Sequence, residues 1–395
     1  MQKRTRRALV CAPKMPEFDR EGGSRRVFHL IEFLCEAGWA VSYVAQNAMD
    51  GERYVHTLQQ MGVATYASRN TWAGGQESLI NPETLIATGH FDLILVAFWD
   101  QAEFYLPLVR SLSPDTKVVV DSIDLHFLRK SRLAFCTREE AALSGKLDPQ
   151  YANEMIRELN VYAAADAVLT VSQKEADIIN DFVADQNLAY AVPDTEDLSP
   201  STLPFAERQG MLFVGNFRHP PNVQAVEWLC KEILPRVPSE LLAKHPAYIV
   251  GNGVNETQID YGCMKEVVLI GWVPSVIPYL QHARISVIPL LYGAGTKRKL
   301  MQSLMVGTPC VSTSIGVEGL NLEDGTHVLV ADEPAKFAQD IERLLTDEEL
   351  WQKLTLDGRS HILAAHGRET VRACFDSVLD QIMSKPTMLR PLSKV

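Results

Sequence analysis

Residues 285–320 read ISVIPLLYGAGTKRKLMQSLMVGTPCVSTSIGVEGL. The apolar run ISVIPLL (285–291) predicts a buried strand. Gly293-Ala294-Gly295-Thr296 then opens a helix that stops at Gly307-Thr308-Pro309. A second short strand runs to Ser312-Thr313, and a second glycine-bearing loop, Ile315-Gly316-Val317-Glu318-Gly319, follows. In an open parallel sheet, loops leaving the carboxyl ends of strands line one crevice, so both glycine loops point to the same place. Gly293 and Gly295 let the backbone approach an anion, and a helix N-terminus offers unpaired N–H groups and a positive dipole end. Lys297, Arg298 and Lys299 add charge there. The pattern suits a phosphate or diphosphate, and it equally describes a solvent-facing basic helix start whose glycines serve only the turn.

The segment GAGTKRKLMQSLMVGTPCVSTSIGVEGL (293–320) resembles the donor-binding segment of family 4 glycosyltransferases. The resemblance implies a GT-B fold: α/β, with two Rossmann-like domains facing each other across a cleft. It further implies a retaining enzyme that moves a sugar from a nucleotide-diphosphate donor to a hydroxyl of a glycan or glycolipid acceptor. Cell-surface polysaccharide assembly is the setting it suggests. Lys299 matches the family's phosphate-binding lysine. The family's two glutamates, eight apart, fall on Ala294 and Gln302, and the second of them bonds the ribose hydroxyls. Glutamine keeps an acceptor oxygen and adds a donor, without the charge-assisted strength of a carboxylate.

Composition is compatible with this reading. The chain has 395 residues, 46% of them hydrophobic, enough for two domains with their own cores. A net charge of −11 argues against a nucleic-acid partner, which needs a basic field. The seven cysteines are scattered, without a CxxC, and read as free thiols of a cytoplasmic protein. Lys3, Arg4, Arg6 and Arg7 open the chain either as a solvated tail or as a peripheral contact with an anionic membrane.

In the first half, strands and helices alternate, as a parallel sheet wrapped by helices requires. Gly22-Gly23-Ser24-Arg25-Arg26 follows the first strand, ALVCAP (8–13), at the entry of the first helix. Cations at a helix N-terminus oppose its dipole, and a bound anion would relieve the conflict. In the resembled family, a glycine pair here faces the donor's phosphates. Asp121, Asp124 and His126, with Arg129 beyond, follow the strand TKVVVDS (116–122). They suit acceptor binding or proton handling, or an Asx turn and helix cap. Asp100 and Glu103 are candidates of the same kind. The proline-rich stretch 191–210 reads as a linker, giving an acceptor-side domain over 1–195 and a donor-binding domain over 196–370. Residues 371–395 form a helix that crosses back to the first domain and ends in a loose tail.

In the second half, MLFVGNF (211–217) opens the sheet with Gly215 and Asn216 in its first loop. Many members of the resembled family carry Arg and Lys where this chain has Asn216 and Pro221, so Arg218 or His219 would supply the missing cation. Gly271-Trp272-Val273 falls in the loop beside the nucleotide base, where Trp272 either stacks on the base or packs in the core. Glu318 belongs to the second glycine loop. The leaving diphosphate would be neutralised by Lys299, a second cation and helix N–H groups, with no cofactor and no metal. No DxD motif reads as a metal site. Two other readings remain: a nonenzymatic GT-B protein that binds nucleotide sugar weakly or partners an active transferase, and an epimerase, for which no paired acids are evident.

Overall fold

The computed structural model describes residues 4–47, 51–67, 81–136, 149–253 and 265–387. It divides into two compact units, and residues 195 and 196 mark one boundary between them. The first unit also takes in the chain from Val371 onward.

The first unit begins with β1 (Arg7–Lys14), α1 (Gly22–Glu36), β2 (Ala40–Asn47), α2 (Glu52–Gln60) and β3 (Ala64–Ala67). It continues through α3 (Pro82–Gly89), β4 (Leu93–Ala97), α4 (Trp99–Leu112), β5 (Lys117–Asp121) and α5 (His126–Cys136), of which residues up to Ser131 belong to this unit. Then come α6 (Pro149–Ala164), β6 (Ala167–Thr170), α7 (Gln173–Val183) and β7 (Ala189–Ala191). The strands form one parallel sheet in the order β3-β2-β1-β4-β5-β6-β7. Its central strands are buried along their length, Leu93–Ala97 and Lys117–Asp121 among them. That is why they read as unbroken apolar runs rather than alternating ones. Chain order reverses between β1 and β4, so the loops after these two strands flank the switch point.

The second unit repeats the plan. Its elements are β8 (Met211–Val214), α8 (Pro220–Trp228), α9 (Ser239–Lys244), β9 (Ala247–Val250), β10 (Val267–Gly271), α10 (Ile277–His282) and β11 (Ile285–Ile288). These lead to α11 (Arg298–Met305), β12 (Cys310–Ser312), α12 (Ser314–Val317), β13 (Leu329–Val330), α13 (Pro334–Thr346) and α14 (Glu348–His366). The last helix, α15 (Arg368–Ser384), packs Val371, Phe375, Val378 and Leu379 into the core of the first unit. The second sheet is parallel, in the order β10-β9-β8-β11-β12-β13, and its switch point lies between β8 and β11. Its core centres on Phe213, Ile249, Val287, Leu300, Met301 and Phe337.

Close backbone approach holds the loops at this end of the sheet. Gly251 follows β9 at φ +147°, and a Cβ there would fall 1.6 Å from the Gly215 carbonyl oxygen. Gly38, at φ +79°, has nothing within 4 Å of the same atom. Gly251→Ala should therefore cost about 3 kcal/mol, combining strain with a backbone clash, whereas Gly38→Ala should cost about 1 kcal/mol from strain alone. Urea unfolding midpoints check the pair, and equal losses would refute the assigned packing.

Candidate functional site

At the switch point of the second sheet, the loop after β8 supplies Gly215, Asn216, Arg218 and His219. The loop after β11 supplies Gly293 to Lys297. A Cβ at Gly215 would lie 2.9 Å from Asn222 Cγ, so the missing side chain lets Asn222 seat beneath the loop. Asn222 is buried and donates through Nδ2 to the Asn216 carbonyl at 2.7 Å. The Asn216 side chain accepts from the Arg218 backbone N–H at 3.1 Å, an Asx turn that leaves Arg218 exposed at the rim.

Lys299, in the first turn of α11, donates from Nζ to Asn222 Oδ1 at 2.5 Å. The ammonium lies 4.2 Å from the centroid of the Phe213 ring. Desolvation, reinforced by the nearby Lys297 charge, pushes its pKa down to about 7. Its two neighbours are engaged differently. Lys297 is buried and donates back to the Gly295 carbonyl at 2.5 Å and the Ala294 carbonyl at 3.3 Å, fixing the glycine loop. Arg298 pairs with the buried carboxylate of Glu196. Three adjacent cations thus have three separate partners, in place of the single cationic cluster that the sequence suggested.

Gln302, one turn beyond Lys299, is buried and donates from Nε2 to Glu196 Oε1 at 3.0 Å. The second glycine loop packs at the carboxyl ends of β11 and β12. Thr313 caps α12 by accepting from the Gly316 N–H at 3.1 Å, and its hydroxyl donates to the Leu290 carbonyl at 2.6 Å, tying the two loops together. A Cβ at Gly316 would fall 2.1 Å from Ser312 Oγ, so this glycine is needed for packing. Glu318 is the residue that ends α12. Trp272 stands 55% exposed after β10, which rules out the core alternative, while Val273 packs with Leu212, Val250 and Leu280.

In the first unit, the structure reassigns two candidates. Arg26 is buried and donates from Nε to both oxygens of Asp121, at 2.9 and 3.0 Å; its Nη1 reaches Asp194 Oδ1 at 3.1 Å and the Val192 carbonyl at 2.8 Å. Asp121 is fully buried, so it cannot take a proton from an acceptor hydroxyl and is instead an anchor for α1 and the chain at 192–194. Just before α1, at its N-cap, stands a carboxylate: Glu21 accepts from Lys14 at 2.8 Å and from Ser24 at 3.4 Å, next to Gly22. Of Arg25-Arg26, Arg26 thus has carboxylate partners within the protein, Asp121 and Asp194.

Gly23 is a point of convergence. A Cβ there would lie 3.2 Å from Ile123 Cγ2 and 3.4 Å from Phe98 Cζ. Both of those residues adopt positive φ, +62° and +72°, immediately after β5 and β4. Left-handed backbone at a β-branched residue is costly and clusters at functional ends of sheets. His126 remains partly exposed beside them: Trp99 Nε1 donates to its Nδ1 at 3.0 Å, which leaves the proton on Nε2, 3.3 Å from Asp124 Oδ1. Burial raises the Asp124 pKa, but the His126 hydrogen bond and the Arg129 charge outweigh this and hold it below its usual value. Glu158 caps α5 by accepting from the His126 and Phe127 backbone N–H groups, each at 2.9 Å. Glu103 pairs with Arg157, and Asp100 is exposed in the first turn of α4.

Of the N-terminal cations, Arg4 pairs with Asp92, Arg6 lies over Trp39 and Arg7 over Phe91; Lys3 falls outside the described residues. Among the described residues, no helix is long and apolar enough to cross a membrane and no group of three or more acidic, His or Cys side chains is placed to hold a metal ion. Cys11, Cys35, Cys230, Cys310 and Cys374 are free thiols; the Cys136 and Cys263 side chains lie outside the described residues.

The profile of the glycosyl transferases group 1 family matches residues 208–347, the stretch that builds this second switch point. These residues are similar to a group 1 glycosyl transferase domain. Two curated relatives match over shorter lengths. YtcC of Bacillus subtilis (strain 168) is 32% identical over 85 residues, covering 20% of this chain and 21% of its own. A 44.6 kDa protein in the cps region of Klebsiella pneumoniae is 29% identical over 145 residues, covering 33% and 36%. The matched stretch thus spans about a third or less of these relatives. Among solved structures, sucrose-phosphate synthase (tll1590) from Thermosynechococcus elongatus superposes with a TM-score of 0.72 at 17% identity, covering 96% of this chain and 100% of its own. Anabaena Alr3699/HepE in complex with UDP-glucose gives 0.67 at 14%, covering 95% and 99%. The two Rossmann-like parallel sheets are those of the GT-B fold.

Asp121→Asn removes the charge opposite a buried guanidinium and should cost about 3 kcal/mol of stability. A variant that melts with wild-type stability would show that the pair does not anchor the first unit.

Proposed function

We propose that the chain is a retaining family 4 glycosyltransferase that moves a sugar from a nucleotide-diphosphate donor to a hydroxyl of a glycan or glycolipid acceptor. The observation that carries this reading is Lys299, whose desolvated ammonium is held by Asn222 beneath the glycine loops of a group 1 glycosyl transferase domain. The bond that breaks joins the anomeric carbon to a diphosphate oxygen, and negative charge grows on that oxygen. Lys299, exposed Arg218 and the N–H groups opening α11 neutralise it, and burial strengthens the contribution of Lys299. This scheme draws its cations from the protein and requires no metal. Gln302 takes the ribose hydroxyls, Trp272 offers a stacking face for the base, and His126, oriented by Trp99 and Asp124, serves the acceptor side. The HepE structure holds UDP-glucose, which supports uridine as the first base to try. The Klebsiella relative is in a cps region, which supports a polysaccharide acceptor. A nonenzymatic nucleotide-sugar binder is the second reading, favoured by Gln302 and by the uncharged Asn216 and Pro221.

Calorimetric titration with UDP, GDP and dTDP tests the donor site. One nucleotide should bind with micromolar affinity, and Lys299→Ala should weaken it about tenfold or more. No binding by any of the three would sink the reading. Release of nucleoside diphosphate from the matching donor only when acceptor glycan is present separates transferase from binder.

The depressed Lys299 pKa adds a pH signature. Above pH 7 the free protein holds Lys299 largely neutral, and a bound diphosphate favours the charged form, so binding at pH 8.5 takes up a proton. The observed enthalpy should then change with the ionisation enthalpy of the buffer, and affinity should fall as pH rises above 7. Lys299→Ala should show neither effect; buffer-independent enthalpy in the wild type would contradict the assignment.

A further inference from the structure

The side chain of Gln302 can present either end of its amide to a ligand, and the two choices have opposite chemistry. Its surroundings decide between them. Nε2 donates to Glu196 Oε1 at 3.0 Å, and the same oxygen accepts from Arg298 Nε. Glu196 is 2% exposed, and its Oε1 accepts from both a guanidinium and the amide. The NH₂ of Gln302 must therefore face Glu196, and the carbonyl oxygen must face away. Among the described residues, the bond to Glu196 is the only hydrogen bond made by the Gln302 side chain. Its Oε1 is not among the buried polar atoms that lack a partner, so it stays accessible. Three residues along α11 from Lys299, that oxygen shares a helix face with the ammonium.

We propose that Glu196 is a positioning residue that fixes Gln302 as an acceptor-only group for the ribose diol of the nucleotide. Glu196, Arg298 and Gln302 then act together as a single carboxylate at position 302 would, with the negative charge moved from α11 to the chain entering the second unit. This rests on the nucleotide-sugar reading above. It also accounts for a buried ion pair at the start of the unit, where an apolar side chain would pack without desolvation cost. With its charge removed, residue 196 could donate as well as accept, and Gln302 would be free to turn its amide.

The test compares UDP (or GDP, whichever binds) with its 2′,3′-dideoxy form by calorimetry on three proteins. The wild type should prefer the diol by about tenfold, the worth of one well-placed hydrogen bond. Glu196→Gln should bring the two affinities within about twofold while still binding the diphosphate. The double variant Glu196→Gln with Gln302→Glu places the carboxylate directly on α11, keeps a partner for Arg298, and should restore the tenfold preference. A wild-type ratio in Glu196→Gln, or no recovery in the double variant, overturns the proposal while the nucleotide site stands. If the single variant does not fold, recovery of the wild-type ratio in the double variant still decides the matter. Absence of any nucleotide binding by the wild type removes the underlying reading and this proposal with it.

Discussion

The second unit is organised around an ammonium that has been taken out of water. Lys299 projects from the first turn of a helix, where the dipole is unfavourable to a cation, and rests on an aromatic face and an amide oxygen. Neither partner carries a full negative charge, so the ammonium is held but not neutralised. Burial makes it a poor cation and lowers its pKa to about 7. On the function proposed above, a diphosphate supplies the charge that the protein withholds. The surrounding features serve this arrangement: Gly215 makes room for Asn222, Lys297 ties down the loop carbonyls, and Arg298 turns away to Glu196. Arg298 is neutralised by Glu196, while the Lys297 charge still adds to the lowering of the Lys299 pKa.

The same economy of charge governs the first unit. Arg26 and Asp121 occupy places where the sequence suggests ligand chemistry, yet both are consumed in a buried pair that joins α1, β5 and the chain leaving β7. Such a pair gains little net stability over apolar packing, but it specifies one geometry. That geometry is what the strained residues require. Phe98 and Ile123 hold positive φ against Gly23 only because the strands and helix around them are fixed. His126, oriented by an indole N–H and a carboxylate, stands at this ordered end of the sheet.

Much of the fold could be read from the sequence, because parallel strands buried on both faces announce themselves as continuous apolar runs such as LILVA and KVVVD. The glycine loops were legible for a related reason, since close backbone approach excludes other residues. Partnerships were not. Asn222 lies 77 positions from Lys299, Glu196 lies 106 from Gln302, and Asp121 lies 95 from Arg26. No periodicity links such pairs, and an asparagine following two prolines at a helix start has an ordinary local explanation as a turn former. Trp272 shows the converse limit. One aromatic after a strand fits a core or an exposed face equally well until the sheet order makes β10 an edge strand.

Position 302 shows why function is harder to read than fold. By residue type, a glutamine there means a lost carboxylate and argues for a weakened site. By environment, it is an amide whose donor end is already spent on Glu196, leaving only an acceptor to face outward. The chemistry offered by a side chain is what remains after its neighbours have taken their share. A carboxylate in the linker and an arginine one turn before the glutamine change what that glutamine is. The three residues make physical sense together and little sense singly: Arg298 without Glu196 would be an unpaired cation, and Glu196 without Arg298 an uncompensated buried charge.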